Sequence, residues 1–546
     1  MESAEEEAPT ARPIDAVAGL VARYGVGGRP VREVVARLTE QRWTLRTLVS
    51  ATGLPRRDVE AVLRALADDA EQAADGWAIR PGLAGEYRDR FGYAQLRRTT
   101  LDDPLGRRLA DSPGLLDEVR RLVAGVPRPL PTLDHVQATP ATVARRALWL
   151  DGTFDLVGAR LLCVGDHDLT GLGAALANPG LSVTVVDLDE GLLEYVDAQA
   201  GARGLDVRCL YGDLRLGLPP SARGSADLVF TDPPYTPEGV GLFLARGLEG
   251  LRDREHGRLV LAYGYGGQPG LGAKVQQVVY GLHLAYEAVL PGFNRYDGAE
   301  AVGAASDLYV CRPTARTWRA PDRTAEHAVR IYTHGPQAVE ARAPESEELR
   351  RRLLELAGPH TAVVGAGALP LAEVLSGAAA PRLPRPRVIA ADLAGDPGGW
   401  LARLLLALDA ARITALVPNG HPDVASEDGQ RRLAALVGTK YALRFRRSTP
   451  DNRHAVVEAA GIEPETLAAG DRAVRYVLDH SHSRLGTAWR DGLVRSSRAA
   501  GDRLTRPRAA ALIQAALPDP AVLDLRPMEI PRHRLLSVLD RIRAAG

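Results

Sequence analysis

At 546 residues the chain is too long for one hydrophobic core and divides into roughly two to four domains. Its 68 Lys and Arg balance 68 Asp and Glu, so net charge gives no global sign of a nucleic-acid partner, and no apolar run reaches the ~18 residues of a membrane span. An acidic start and three cysteines without metal-ligand spacing, Cys163, Cys209 and Cys311, lead us to expect a cytoplasmic protein with buried, reduced thiols.

The first predicted unit is winged-helix-like and spans residues 13–82. In "TLRTLVSATGLPRRDVEAVLRAL" apolar residues recur at helical spacing on both sides of Thr52-Gly53-Leu54, and Pro55 suits the first turn of a second helix. Trp77–Arg80 then reads as a wing strand. Arg56, Arg57 and Arg64 would face phosphates in a DNA-binding reading, but Asp58, Glu60, Asp68, Asp69 and Glu71 would repel them, so a dimerisation or lid role stands beside it. A charged helical linker region follows over residues 83–130.

Residues 131–318 read as a Rossmann-like catalytic domain. After a helix capped at Thr139, seven short apolar runs alternate with helices, the pattern of a doubly wound, mostly parallel sheet of the class I methyltransferase type. Ligands of such sheets bind beyond the carboxyl ends of the strands. Here those ends carry aspartates. "VGDHDLTGLG" supplies Gly165 for a tight turn with Asp166 and Asp168; "VDLDEG" supplies Asp187, placed to accept ribose hydroxyls, and Asp189, equally suited to cap a helix. "YGDLR" supplies Asp213 for an adenine amino group. The fourth strand stops at "TDPPYTPEG", because Pro233 and Pro234 lack N–H groups, and it presents Asp232 and Tyr235. Carboxylates without a basic cradle disfavour NAD and ATP and favour a sulfonium nucleoside and a cationic amine.

The segments "LDHVQATPATVARRALWL", "LLCVGDHDLTGLGAAL", "VVDLDEGLLEYV", "GDLRLGLP" and "FTDPPYTPEGVGLFLARGLEGL" resemble the branched-chain polyamine synthase family, the bis(aminopropyl)spermidine synthases. The resemblance implies an aminopropyltransferase with an acidic pocket for decarboxylated S-adenosylmethionine and an amine. It assigns Gly165, Asp166 and Asp168 to the family's Gly-Asp-Asp-Asp signature and Asp232, Pro233 and Pro234 to its Asp-Pro-Pro-Glu signature. It implies the ribose role for Asp187 and the adenine role for Asp213. Two positions depart: His167 replaces the middle acid and Tyr235 replaces the glutamate. "DPPY" is also the signature of S-adenosylmethionine-dependent amino-methyltransferases, so methyl transfer to a planar amide or base is the alternative.

Either reaction displaces a thioether by an amine nitrogen, and no metal is expected. Asp232 is the expected proton acceptor, with Asp166 and Glu238 as electrostatic helpers; Glu238 is equally suited to be a helix-turn acid. His167 reads as a neutral base or a capping residue, and Tyr263 as core or cleft wall. Arg145 and Arg146, in the helix before the first strand, could fold back over the site and hold the carboxylate of S-adenosylmethionine. A third reading is a winged-helix regulator that senses a nucleoside metabolite.

Residues 325–460 repeat the rhythm as a degenerate second Rossmann-like domain, with Ala366 and Pro418 where the first has Asp166 and Asp232. A structural or dimerisation role is expected there. Residues 461–546 read as a helical tail, in which His480 and His482 lack convincing metal-ligand spacing. The expected partners are a polyamine and a second copy of the chain in a homodimer.

Overall fold

Apolar residues at helical spacing, interrupted where glycine and proline fall, build the first unit of the computed structural model. It describes residues 12–98, 102–297, 304–319, 331–332, 346–359, 361–365, 369–378, 387–499, 501, 503–517 and 519–545. Helices α1 (Pro13–Arg23), α2 (Arg29–Leu38), α3 (Leu45–Thr52) and α4 (Arg56–Leu66) close on Val34, Leu48, Val62 and Leu66, and the antiparallel hairpin β1 (Ala70–Ala73) and β2 (Gly76–Ile79) follows. Thr44 caps α3 through Thr47 N at 3.1 Å, and Gly53, at φ 72°, ends it in the left-handed region. Arg56 and Arg64 both pair with Glu60, and Arg57 pairs with Asp58, so each arginine proposed for DNA has an acid of its own helix as partner. Four helices, α5 (Ala84–Arg90), α6 (Tyr93–Arg98), α7 (Pro104–Ala110) and α8 (Pro113–Gly125), lead to the central domain.

That domain comprises β3 (Gln137–Ala138), α9 (Pro140–Thr153), β4 (Arg160–Val164), α10 (Thr170–Ala177), β5 (Ser182–Asp187), α11 (Glu190–Arg203), β6 (Val207–Tyr211), β7 (Leu228–Thr231), α12 (Pro237–Gly250), β8 (Arg258–Tyr263), α13 (Pro269–Gly281), β9 (Leu284–Asp297) and β10 (Ala305–Pro313). The sheet runs β3-β9-β10-β8-β7-β4-β5-β6, with β4 to β8 parallel and β9 and β10 antiparallel. The seven expected strands are all present in the order of the class I methyltransferase type. The sheet is one strand larger than expected, since Gln137–Ala138 pairs with the end of β9.

In the second half, α14 (Ser346–Ala357), β11 (Ala362–Val364), α15 (Leu371–Leu375), β12 (Val388–Asp392), α16 (Trp400–Ala407), β13 (Arg412–Pro418), α17 (Glu427–Val437), β14 (Tyr441–Arg446) and β15 (His454–Gly461) form a five-stranded sheet ordered β11-β12-β13-β15-β14. Its strand order is not a copy of the first sheet's: β12 lies between β11 and β13, whereas β4 lies between β5 and β7. Ala366 falls outside the described residues; Pro418 ends β13. Helices α18 (Ala469–Asp479), α19 (Leu485–Ala499), α20 (Arg506–Ala516) and α21 (Arg532–Ala545) complete the described tail.

The second half is fastened to the first. Glu190 on α11 accepts from Arg403 and from the backbone of Arg532, Asp197 meets His533 and Arg534, and Tyr211 N donates to the Glu529 carbonyl at 2.8 Å. A Cβ at Gly399 would stand 2.2 Å from the Tyr211 hydroxyl, so only glycine permits this approach. One apolar core runs from Val164 and Phe243 to Trp400 and Leu401. Among the described residues no helix is long and apolar enough to cross a membrane.

Candidate active site

The carboxyl ends of β4 to β7 open on a narrow cleft lined by Gly165, Asp166, His167, Asp187, Asp213, Asp232 and Pro234, with His135 and Tyr332 closing it from outside the sheet. The last three residues of each strand are buried, and the aspartates fall at or just beyond the strand ends, at the sheet's edge. Gly165, at φ 70°, makes the turn after β4.

Asp166 lines the cleft and also satisfies the first turn of a helix. Its two carboxylate oxygens accept from Thr170 N and Gly171 N, both at 2.8 Å, and cap α10. Burial pushes its carboxyl well above the usual range. Asp187 accepts from Asp189 N at 2.9 Å and from Asp166 N at 3.2 Å; burial raises it to about 6. Each oxygen keeps one further lone pair on the cleft side. Burial alone would raise Asp213, but Arg215 outweighs it and, with the Trp400 indole N–H at 2.8 Å, holds the carboxyl below the usual range. Trp400 belongs to the second half of the chain.

The centre of the site is Arg146, fully buried on the inner face of α9. Nε donates to Asn294 Oδ1 at 2.8 Å; Nη1 donates to Asp168 at 2.9 Å and Thr170 Oγ1 at 3.0 Å; Nη2 donates to Asp232 at 2.6 Å and the Tyr296 hydroxyl at 3.0 Å. All five N–H groups are therefore used. The guanidinium also lies over the Phe230 ring, 4.9 Å from its centroid. Arg145 pairs with Asp103 at 2.7 Å, away from the cleft.

Asp232 accepts on Oδ2 from Arg146 and from the Tyr296 hydroxyl at 2.6 Å, and on Oδ1 from the Tyr235 hydroxyl at 3.1 Å. Burial pushes its carboxyl up to about 7, because Asp168 and Asp232 share one guanidinium and one positive charge cannot offset both. The Tyr235 ring meets Tyr263 edge-on, with centroids 5.4 Å apart, and Tyr235 does not line the cleft. Tyr263 is buried in the core against both Tyr235 and Tyr309.

Several expected residues stand elsewhere. Glu238 is exposed in the first turn of α12 and does not line the cleft; the helix phase turns its neighbours Gly239 and Val240 inward instead. Asp168 faces back to Ala138 N at 2.7 Å and Arg146, so it orders the arginine and does not line the cleft. Pro233 is buried behind Pro234, which lines the cleft. His167 caps nothing. It stacks on His135, with centroids 4.3 Å apart, and burial lowers both rings to about 4.

Sequence reasoning missed Tyr296, Asn294, Arg215 and Trp400, and it placed Arg146 over the site without its partners. One signal existed: Arg146 interrupts a run whose neighbours Val143, Ala144, Ala147 and Leu150 are all core.

The strand order and the aspartates at successive strand ends define a Rossmann domain of the class I methyltransferase type. Residues 114–350 match the family described as branched-chain polyamine synthase A C-terminal domain. An uncharacterised protein of Methanocaldococcus jannaschii is 34% identical over 200 residues, 36% of this chain and 49% of its own. The N(4)-bis(aminopropyl)spermidine synthase of Thermus thermophilus is 39% identical over 127 residues, 23% of this chain and 36% of its own. The chain thus spans half or less of the length of these relatives. A crystal structure of the Thermus thermophilus branched-chain polyamine synthase, in complex with N4-aminopropylspermidine and 5'-methylthioadenosine, aligns with a TM-score of 0.37 and 22% identity over 55% of this chain and 92% of that one.

Proposed function

We propose that the cleft transfers an aminopropyl group from decarboxylated S-adenosylmethionine to an amine nitrogen of a polyamine. The observation that carries this reading is the full commitment of Arg146 and the pairing of Arg145 with Asp103, which leave neither free for a methionine carboxylate. Arg215, the arginine that lines the cleft, is ion-paired with Asp213 beyond the third parallel strand and not at the glycine turn. A donor that ends in an ammonium suits such a cleft; one that ends in a carboxylate is repelled. The family match over residues 114–350 and the name of the Thermus thermophilus relative support the polyamine.

In this reading Asp187 holds the ribose. The amine attacks the methylene carbon beside the sulfonium, the carbon–sulfur bond breaks, methylthioadenosine leaves, and the amine proton passes to Asp232. Tyr235 and Tyr296 orient that carboxylate. The N-methylation reading rested on the DPPY signature, whose aromatic ring would stack on a planar substrate; here the Tyr235 hydroxyl is bonded to Asp232 and its ring packs on Tyr263. The first unit serves as a winged-helix-like module docked on the catalytic domain, where Arg46 meets Asp297 at 3.3 Å.

The test offers spermidine with either donor and reads products by mass spectrometry. An added aminopropyl unit with methylthioadenosine is expected. A methylated product with S-adenosylhomocysteine overturns the reading.

A further inference from the structure

Three ring nitrogens at the rim of the cleft, Nδ1 of His135 and both nitrogens of His167, are buried without a protein hydrogen-bond partner. A polar group buried in that way costs on the order of 1–3 kcal/mol, so two stacked imidazoles of this kind call for a ligand. They come from unrelated places: His135 from the turn before β3, His167 from the loop after β4. A third group joins them. Asp189 uses Oδ1 to cap α11 through Gly191 N and Leu192 N, and Oδ2 is not needed for that cap. Donor atoms of His135, His167 and Asp189 all lie within 4.8 Å of one another.

We propose that His135, His167 and Asp189 bind one divalent transition-metal ion. Two imidazole nitrogens and one carboxylate oxygen suit zinc and its first-row neighbours, and suit magnesium or calcium poorly. An imidazole nitrogen binds a metal in its own ring plane, so bonds of about 2.0–2.2 Å require one of the two stacked rings to rotate out of the stack and the donors to draw together by roughly an ångström. Asp187 stands beside the group and adds negative charge that favours a cation. Three protein ligands leave a position open on the cleft side, where His135 and His167 form part of the lining. The ion ties the turn before β3 to the ends of β4 and β5. The replacement of an acid by His167 is then the feature that supplies a nitrogen ligand in place of a carboxylate. This site stands independently of the transfer reaction.

The test uses the untagged full-length protein, stripped with chelator and titrated with Co2+ and then Zn2+. One equivalent of Co2+ is expected, with the visible bands of a low-symmetry site, displaced by Zn2+. Affinity should fall at least about tenfold in His135→Ala and in Asp189→Asn; the second keeps an Asn cap on α11, so folding is retained. Absence of stoichiometric binding by the unaltered protein overturns the proposal, as does unchanged affinity in both variants. Neither result depends on donor or amine.

Discussion

Arg146 Nη2 stands 2.6 Å from Asp232 Oδ2, so the residue that follows the last position of β7 is joined directly to a helix that precedes all of the parallel strands. The same guanidinium holds Asp168 and carries the Tyr296 hydroxyl, which itself donates to Asp232. The carboxylate proposed as proton acceptor is thereby fixed from three sides.

Removing that hub should be costly. Arg146→Ala leaves two buried carboxylates without their cation, and a loss of about 3–5 kcal/mol in stability is expected. Chemical denaturation checks this. A loss under 1 kcal/mol would mean that Asp168 and Asp232 do not depend on Arg146.

Asp232→Asn should retain donor affinity and lose turnover, by about 10²–10⁴-fold, because an amide cannot take the proton of the attacking amine. Arg146 keeps Asp168 as its partner in this variant. Calorimetry and steady-state rates separate the two effects. Poor binding with a normal rate at saturation would make Asp232 a binding residue.

Asp187→Ala should weaken donor binding by on the order of 1.5–3 kcal/mol, the worth of hydrogen bonds to a charged acceptor. Titration with decarboxylated S-adenosylmethionine and with methylthioadenosine reads it directly. Unchanged affinity would place the ribose elsewhere.

The raised carboxyl of Asp232 gives a pH signature. The rate should climb as pH rises through about 7, where the carboxylate forms. Stability runs the other way. The folded carboxyl binds its proton more tightly than the unfolded one, so its contribution is complete below about pH 4 and is lost as pH rises through about 7. Asp232→Asn should remove both dependences; pH–rate profiles and denaturation at pH 4 and pH 8 are the measurements.

Trp400→Phe removes the indole donor from Asp213 while keeping an aromatic ring against Arg215. A loss of about 1.5–3 kcal/mol is expected, with weaker donor binding. Retained stability and affinity would separate the second half from the site.

Much of the central sheet was legible because strands buried on both faces announce themselves as apolar runs, and the residue that ends such a run must stand at the edge. Asp187 and Asp232 were found in that way. The rest depended on distance and phase. Arg146 bonds to residues 22, 86 and 148 positions away, and nothing local in "ARRALWL" specifies those partners. Glu238 was misplaced because proximity along the chain says nothing about which side of α12 a residue takes. The His135–His167 stack joins a turn to a loop 32 positions on, a pairing created by the entry of β3 into the sheet. The second sheet's strands were readable, but their order was not, since periodicity carries no information on which strands pair.

The bond from Trp400 to Asp213 spans 187 positions of sequence. During synthesis the glycine turn and all the strand-end aspartates leave the ribosome well before Trp400 exists. The cleft therefore passes through a period in which its Asp213 end lacks that indole, and it acquires its finished shape late, when α16 settles on the edge of the first sheet. Any transplant of the strand-end segments of this chain must carry this surface along, or the Asp213 end of the cleft stays open.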